Sequence, residues 1–177
     1  DWGENSAHWL RSGTPPAPRV DPRAQLCQLA HSQSDRASGR TLTSMDPPRI
    51  TIDELLQQAR EQIRRLTPQQ AADAQSTGAI IVDTRDSADR AAEGIIPGSV
   101  LVTRNTLEWR ADPSAGAPDP RLSNLETDLL IVCNDGYSSS LAADSLRQLG
   151  HPTAGDIVGG YRAWKAAGLP TTSPPDA

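Results

Sequence analysis

The sequence has no phenylalanine, and its two tyrosines and four tryptophans are too few to build an aromatic core. Leu, Ile, Val and Ala must supply the packing instead. No apolar run approaches the roughly 18–20 residues that a helix needs to cross a bilayer, which argues against an integral helical membrane protein. A glycine repeat and a sustained heptad are also missing, so collagen-like and coiled-coil architectures fail. Cysteine is scarce. Cys27 and Cys133 have neither CxxC nor zinc-ligand spacing, and two thiols cannot knit a disulfide-dense scaffold. A reducing, cytoplasmic setting fits best. His8, His31 and His151 show no metal spacing, and no glycine fingerprint for phosphate occurs, so neither a metal nor a cofactor is expected. Basic charge is short as well: 17 basic residues face 22 acidic ones, for a net charge of −5. A general nucleic-acid binder needs a basic stripe, so neither nucleic acid nor membrane is expected as a partner.

What is present divides unevenly along the chain. Residues 1–44 hold Leu10, Val20, Leu26, Leu29 and Leu42 as their only large aliphatic residues, without periodicity. The stretch TPPAPRVDPRAQ and the serine-rich HSQSDRASGRT bury too little to offset chain entropy. No charged start followed by an apolar stretch marks a secretory signal. The single methionine, Met45, stands just before the first periodic segment. Residues 1–44 are therefore read as a disordered extension, or as upstream sequence outside the native protein.

From Thr51 the punctuation becomes orderly. Thr51 and Glu54 have capping-box spacing, and Leu55, Leu56, Ala59 and Ile63 share one helical face, which predicts an N-terminal helix over 45–66. Thr67, Pro68 and Gln70 start a second helix that stops before Gly78. AIIVD (79–83) is a short apolar run ending in a carboxylate, as buried parallel strands do. A helix over 87–93, a strand over 99–102, the strand LLIVC (129–133), a helix over 139–149, a strand over 156–158 and a helix over 161–167 follow. Such alternation predicts one α/β domain over 67–170 with a mainly parallel sheet and a flexible tail over 171–177.

In these sheets reactive groups gather where strands end and loops lead into helix N-termini. Cys133 closes the strongest strand, and CNDGYSSS runs from it into the strongest helix. A lone cysteine after an apolar strand is commonly just a small buried hydrophobe. Here, however, successive amides of a tight loop and the positive end of a helix favour an anion, and the nearest candidate is the Cys133 thiolate. Gly136 lets the loop curl where a side chain would not fit, and Ser138, Ser139 and Ser140 can cap the helix or donate to an anion.

The segments VDTRD (82–86), GIIPGS (94–99), LLIVCNDGYSSSLAADSL (129–146) and DIVGGYRAWKAAGLP (156–170) together resemble a single-domain rhodanese, of the sulfurtransferase family. The resemblance runs from about Thr67 to Pro170, in the family's order and spacing. It implies a three-layer α/β fold, a mainly parallel central sheet with helices on both faces. It further implies sulfur transfer by double displacement, with Cys133 as catalytic nucleophile and persulfide carrier. The donor would be a small sulfur-bearing anion such as thiosulfate, or a persulfide. The acceptor would be cyanide or a thiol, a protein thiol included. Amides and hydroxyls of Asn134, Asp135, Gly136, Tyr137, Ser138 and Ser139 would hold the thiolate and the persulfide.

Related phosphatases and arsenate reductases place an arginine six residues past the cysteine, as a bidentate clamp for a tetrahedral oxyanion. Ser139 occupies that place, and the next arginine is Arg147, so a phosphatase is not expected. Two departures from the family pattern stand out. The loop has no basic residue and carries Asp135, which disfavours both the thiolate and a dianionic donor and makes a persulfide or polysulfide the more natural substrate. Ile95 stands where the family often has a histidine.

Asp83 and Arg85, at the end of the first core strand, read as an ion pair that fixes local backbone with Glu93 nearby, more than as substrate contacts. Arg104 is the best external cation for guiding anions. Trp109 and Trp164 read as packing residues, Tyr137 as an entrance residue, His151 as part of a turn, and Cys27 as too remote to resolve a persulfide. A module of this fold kept for binding or regulation, with little turnover, is the competing reading. The intact Cys133 favours the enzyme.

Overall fold

The computed structural model describes residues 49–174; the expected extension over 1–44, Cys27 and the last three residues lie outside them. Helix α1 (Ile52–Gln62) begins with the capping box expected from the sequence: the Glu54 amide donates to Thr51 Oγ1 at 3.2 Å, and the Thr51 amide donates to the Glu54 carboxylate at 2.7 Å. Leu56, Ala59 and Ile63 are buried, but Leu55, assigned to the same face, is 41% exposed.

The helix expected to reach residue 66 stops at Gln62. Arg64–Leu66 is instead strand β1, paired parallel with the last strand. Three residues including two arginines carry no strand periodicity; the ladder to a partner some 90 positions downstream, Arg64 opposite Gly155, sets their conformation. Helix α2 (Pro68–Ser76) has a second capping box, from Thr67 and Gln70. Strand β2 (Ile80–Asp83), helix α3 (Ser87–Glu93) and strand β3 (Val100–Leu101) fall where the sequence placed them. A 3-10 turn (Arg104–Thr106) and the five-residue helix α4 (Leu107–Ala111) were not anticipated, being too short for periodicity to register. Strand β4 (Leu129–Val132), helix α5 (Ser138–Gln148), strand β5 (Gly155–Ile157) and helix α6 (Gly160–Ala166) complete the order.

The five strands form one all-parallel sheet in the order β1-β5-β4-β2-β3. Side chains alternate across it. Val82, Leu129 and Ile131 pack with Ile63, just past the end of α1, and with Leu107, Ala142, Ala143 and Leu146 from α4 and α5. Ile81, Leu130, Val132 and Ile157 face the other way, onto Ala71, Tyr161 and Trp164 from α2 and α6. All four residues of β4 have no exposed surface, and burying each contributes about 1.5–3 kcal/mol. That anchor holds the end of β4, and hence Cys133, in place.

Two smaller expectations are corrected and one is refined. Trp109 is 66% exposed rather than packed. His151 does open a turn, its carbonyl accepting the Ala154 amide at 3.2 Å, but its side chain is fully buried, with Nε2 donating to the Ala111 carbonyl at 3.1 Å. The tail is tied down at its start, where Thr172 and Ile95 exchange backbone hydrogen bonds of 2.8 and 2.9 Å. Trp164 does pack, 1% exposed, with its Nε1 donating to the Pro170 carbonyl. Among the described residues no helix is long and apolar enough to cross a membrane.

Candidate active site

Because every strand is parallel, the loops after β2, β4 and β5 emerge on one edge. Val132 pairs with Asp83 at the end of the β2–β4 ladder, and its carbonyl accepts both the amide and the hydroxyl of Thr84, each at 2.9 Å. Cys133 follows immediately. Its sulfur receives the Gly136 amide at 3.2 Å and lies 3.2 Å from the Ser139 hydroxyl, to which the neutral thiol donates. In the thiolate that hydroxyl reverses and donates to sulfur.

The amides turn inward because the carbonyls are engaged outward. Cys133 O accepts from the Tyr161 amide at 2.8 Å, and Asn134 O from the Arg162 amide at 3.1 Å, both in the first turn of α6. This contact explains the paired glycines, Gly159 and Gly160, at the start of α6. A Cβ on Gly160 would stand 2.4 Å from the Cys133 carbonyl oxygen, so only glycine lets α6 approach. Gly136 has φ of +75°, and a Cβ there would stand 2.8 Å from the Gly159 nitrogen.

Two influences compete at the Cys133 thiol. Burial pushes its pKa up. Hydrogen bonds from the Ser138 and Ser139 hydroxyls and from the Ser139 and Asp135 amides outweigh burial and hold the thiol below its ordinary value. The residue is only 7% exposed, yet it opens on a cleft of about 290 Å³ lined also by Thr84, Arg85, Asn134, Asp135, Tyr137 and Ser138. A larger cavity of about 450 Å³ is lined by Arg90, Arg110 and Arg121 among others but does not include the cysteine, so the smaller cleft is the candidate site.

Asn134, Asp135, Gly136, Tyr137, Ser138 and Ser139 thus lie beside Cys133, in the loop and the first turn of α5. Asn134 Nδ2 donates to Asp89 at 2.5 Å, and Tyr137 is 62% exposed at the entrance. Asp83 and Arg85 form a fully buried bidentate pair, with contacts of 2.7–3.2 Å. Arg85 also donates to the Gly94 carbonyl and lies 3.6 Å from the Tyr161 ring centre, while Glu93 faces Arg162 instead. Arg104 is bound to Glu108 at 2.6 Å and is not among the residues lining the cleft.

The sequence reading missed a second layer. Asp135 does not stand alone, since Arg162 holds it at 3.1 Å and offsets its charge. Arg162 sits inside the GGYRAW segment, so adjacency to a family motif was the available signal. Ser140 donates to the buried Asp156 at 2.6 Å, and Asp156 pairs with Arg65 at 2.9 Å. Arg60, from α1, donates to the Gly136 carbonyl at 2.9 Å. Nothing in the local sequence of α1 marks it.

The Rhodanese-like domain family model matches residues 67–167. The chain belongs to the rhodanese-like domain family. Among its relatives, the thiosulfate sulfurtransferase GlpE of Ectopseudomonas mendocina is 32% identical over 108 residues, 59% of this chain and 87% of that protein. GlpE of Pseudomonas putida is 33% identical over 106 residues, again 59% and 87%. A solved Rhodopseudomonas palustris protein of unknown function, described as a possible tyrosine phosphatase, is 32% identical with a TM-score of 0.65, over 71% of this chain and 98% of that one. A thiosulfate sulfurtransferase from Pseudomonas aeruginosa is 27% identical with a TM-score of 0.51, over 63% of this chain and 20% of that one. Within this rhodanese-like domain the phosphatase guanidinium is missing: Ser139 takes its place, and Arg147 reaches Gln62 on α1 at 3.4 Å.

Proposed function

We propose that the protein is a sulfurtransferase that carries sulfur as a Cys133 persulfide. The observation that carries this reading is the sulfur itself, which sits at the end of the central strand on inward-turned amides, with its ionised form favoured and a cleft before it. The thiolate attacks the outer sulfur of a sulfane donor. A Cys133 Sγ–S bond forms as the donor's S–S bond breaks, and the leaving group, sulfite or a thiolate, departs with the bonding pair. An acceptor, cyanide or a low-molecular-weight or protein thiol, then attacks the outer sulfur and returns Cys133 as thiolate. No base is needed while the thiol is already ionised. The loop amides that hold the thiolate also hold the anionic persulfide.

Ser139 and the absence of a loop arginine weigh against oxyanion hydrolysis and for a sulfur-sized cradle. With no cation in the loop itself, a persulfide is the better donor and thiosulfate the poorer one. A reducing compartment suits a carrier whose resting state is a free thiolate. The test is intact mass spectrometry after incubation with thiosulfate or glutathione persulfide. The expected result is addition of one sulfur atom to the native chain and none to Cys133→Ser. No adduct from either donor would leave a binding module, and an adduct surviving the substitution would place the chemistry elsewhere.

A further inference from the structure

The Cys133 loop has three outward carbonyls that need donors if its amides are to stay turned inward. Two are served from α6, as described. The third, on Gly136, is served from α1. Arg60 Nη2 donates to it at 2.9 Å, while Nε donates to Ser140 Oγ at 3.3 Å and the guanidinium lies 5.5 Å from the centre of the Tyr137 ring. Ser140 Oγ is also 3.2 Å from the Gly136 carbonyl, but a hydroxyl has one proton. That proton goes to Asp156 at 2.6 Å, which leaves Arg60 as the donor for the carbonyl. The Gly136 carbonyl shares its peptide plane with the Tyr137 N–H, so holding it fixes the backbone on one side of Gly136, the residue whose own amide touches the sulfur from the other side.

We propose that Arg60 is a positioning residue for the nucleophile: by clamping the Gly136 carbonyl it keeps the loop amides turned onto Cys133. A planar fork suits this task, because two nitrogens reach two acceptors at fixed separation while the ring of Tyr137 covers a third side. The helix that supplies the clamp precedes the segment matched by the family model, so this loop, which has no basic residue of its own, is braced from outside that segment.

The charged groups around the loop are accounted for on every side. Asp89 on α3 is engaged by Asn134, Asp83 at the end of β2 and Arg85 just after it neutralise each other, Asp135 is held by Arg162 of α6, and Asp156 of β5 is held by Arg65 and Ser140. Removing Arg60 therefore unbalances the loop without freeing a competing cation.

The inference rests on the thiolate reading of Cys133. Its test follows the rate of iodoacetamide alkylation against pH in the full chain, in Arg60→Gln and in Leu56→Ala, with thermal melts of all three. Leu56 is buried on the same helix and has no polar group to offer the loop carbonyls, so it reports on helix packing. In Arg60→Gln the inflection is expected to rise by about one unit, slowing alkylation roughly tenfold at a pH below both inflections. Leu56→Ala is expected to lower the melting temperature and leave the inflection unmoved. An unmoved inflection in Arg60→Gln would overturn the clamp, as would an equal shift in Leu56→Ala. An ordinary inflection in the native chain would instead sink the thiolate reading itself.

Discussion

A thiol taken out of water loses the solvation that its anion needs, so a buried cysteine ordinarily keeps its proton. At Cys133 that penalty is reversed by two serine hydroxyls and two amides, and the folded thiol ionises at lower pH than the unfolded one. The consequence for stability has a definite sign. Between the two pKa values the unfolded chain holds a proton that the folded chain has released, so stability rises with pH across that window. The gain is complete above the unfolded value and is lost as pH falls through the folded one. Cys133→Ser keeps the shape of the site but has no thiolate to favour. Urea unfolding of both forms under reducing conditions, from about pH 6 to about pH 9.5, should show the native chain gaining on the variant as pH rises and then levelling. A constant difference across the range would mean that the loop leaves the thiol unperturbed.

Elements matter here mainly through what they brace. Helix α1 brings Arg60 to the loop, and its own start depends on the Thr51–Glu54 capping box. Thr51→Ala removes the side-chain acceptor for the Glu54 amide and should cost about 1 kcal/mol, read as a lower urea midpoint with unchanged slope. A shift in slope would mean instead that α1 unfolds separately from the sheet. The same helix shows where sequence reading succeeded and where it ended. Its capping box, the cap at Thr67, the central strand and the place of Cys133 at that strand's end were legible, because a Thr-x-x-Glu spacing, an unbroken apolar run and a strand-to-helix loop are local signals. Strand β1 was not legible, because Arg64, Arg65 and Leu66 are shaped by pairing with β5 rather than by their own pattern. The contacts that complete the site were hidden for the same reason. Arg60 and Gly136 lie 76 positions apart, and Arg65 and Asp156 lie 91 apart, so only folding makes them neighbours. Trp109 failed in the other direction, since a large aromatic residue suggested burial that its place on α4 does not provide.

At the scale of the whole molecule, charge would set how a donor arrives under the proposed sulfur-transfer function. The chain is acidic, with a net charge of −5, whereas two cations beside the loop are paired with carboxylates, Arg162 with Asp135 and Arg85 with Asp83, and Arg60 is turned to the Gly136 carbonyl and does not line the cleft. Arg104, expected to steer anions inward, is occupied by Glu108. A dianion such as thiosulfate therefore approaches a surface of like sign with little local attraction to offset it. Added salt shortens the reach of that repulsion, since the screening length falls to about 10 Å at about 0.1 M ionic strength. Persulfide loading from thiosulfate should accelerate with ionic strength, roughly twofold or more between low and physiological salt, while loading from an uncharged sulfane donor stays level. Stopped-flow measurement of both donors separates the possibilities. A thiosulfate rate that falls with salt would mean that arginines around the larger cavity, Arg90, Arg110 and Arg121, draw anions toward the cleft more strongly than the net charge repels them.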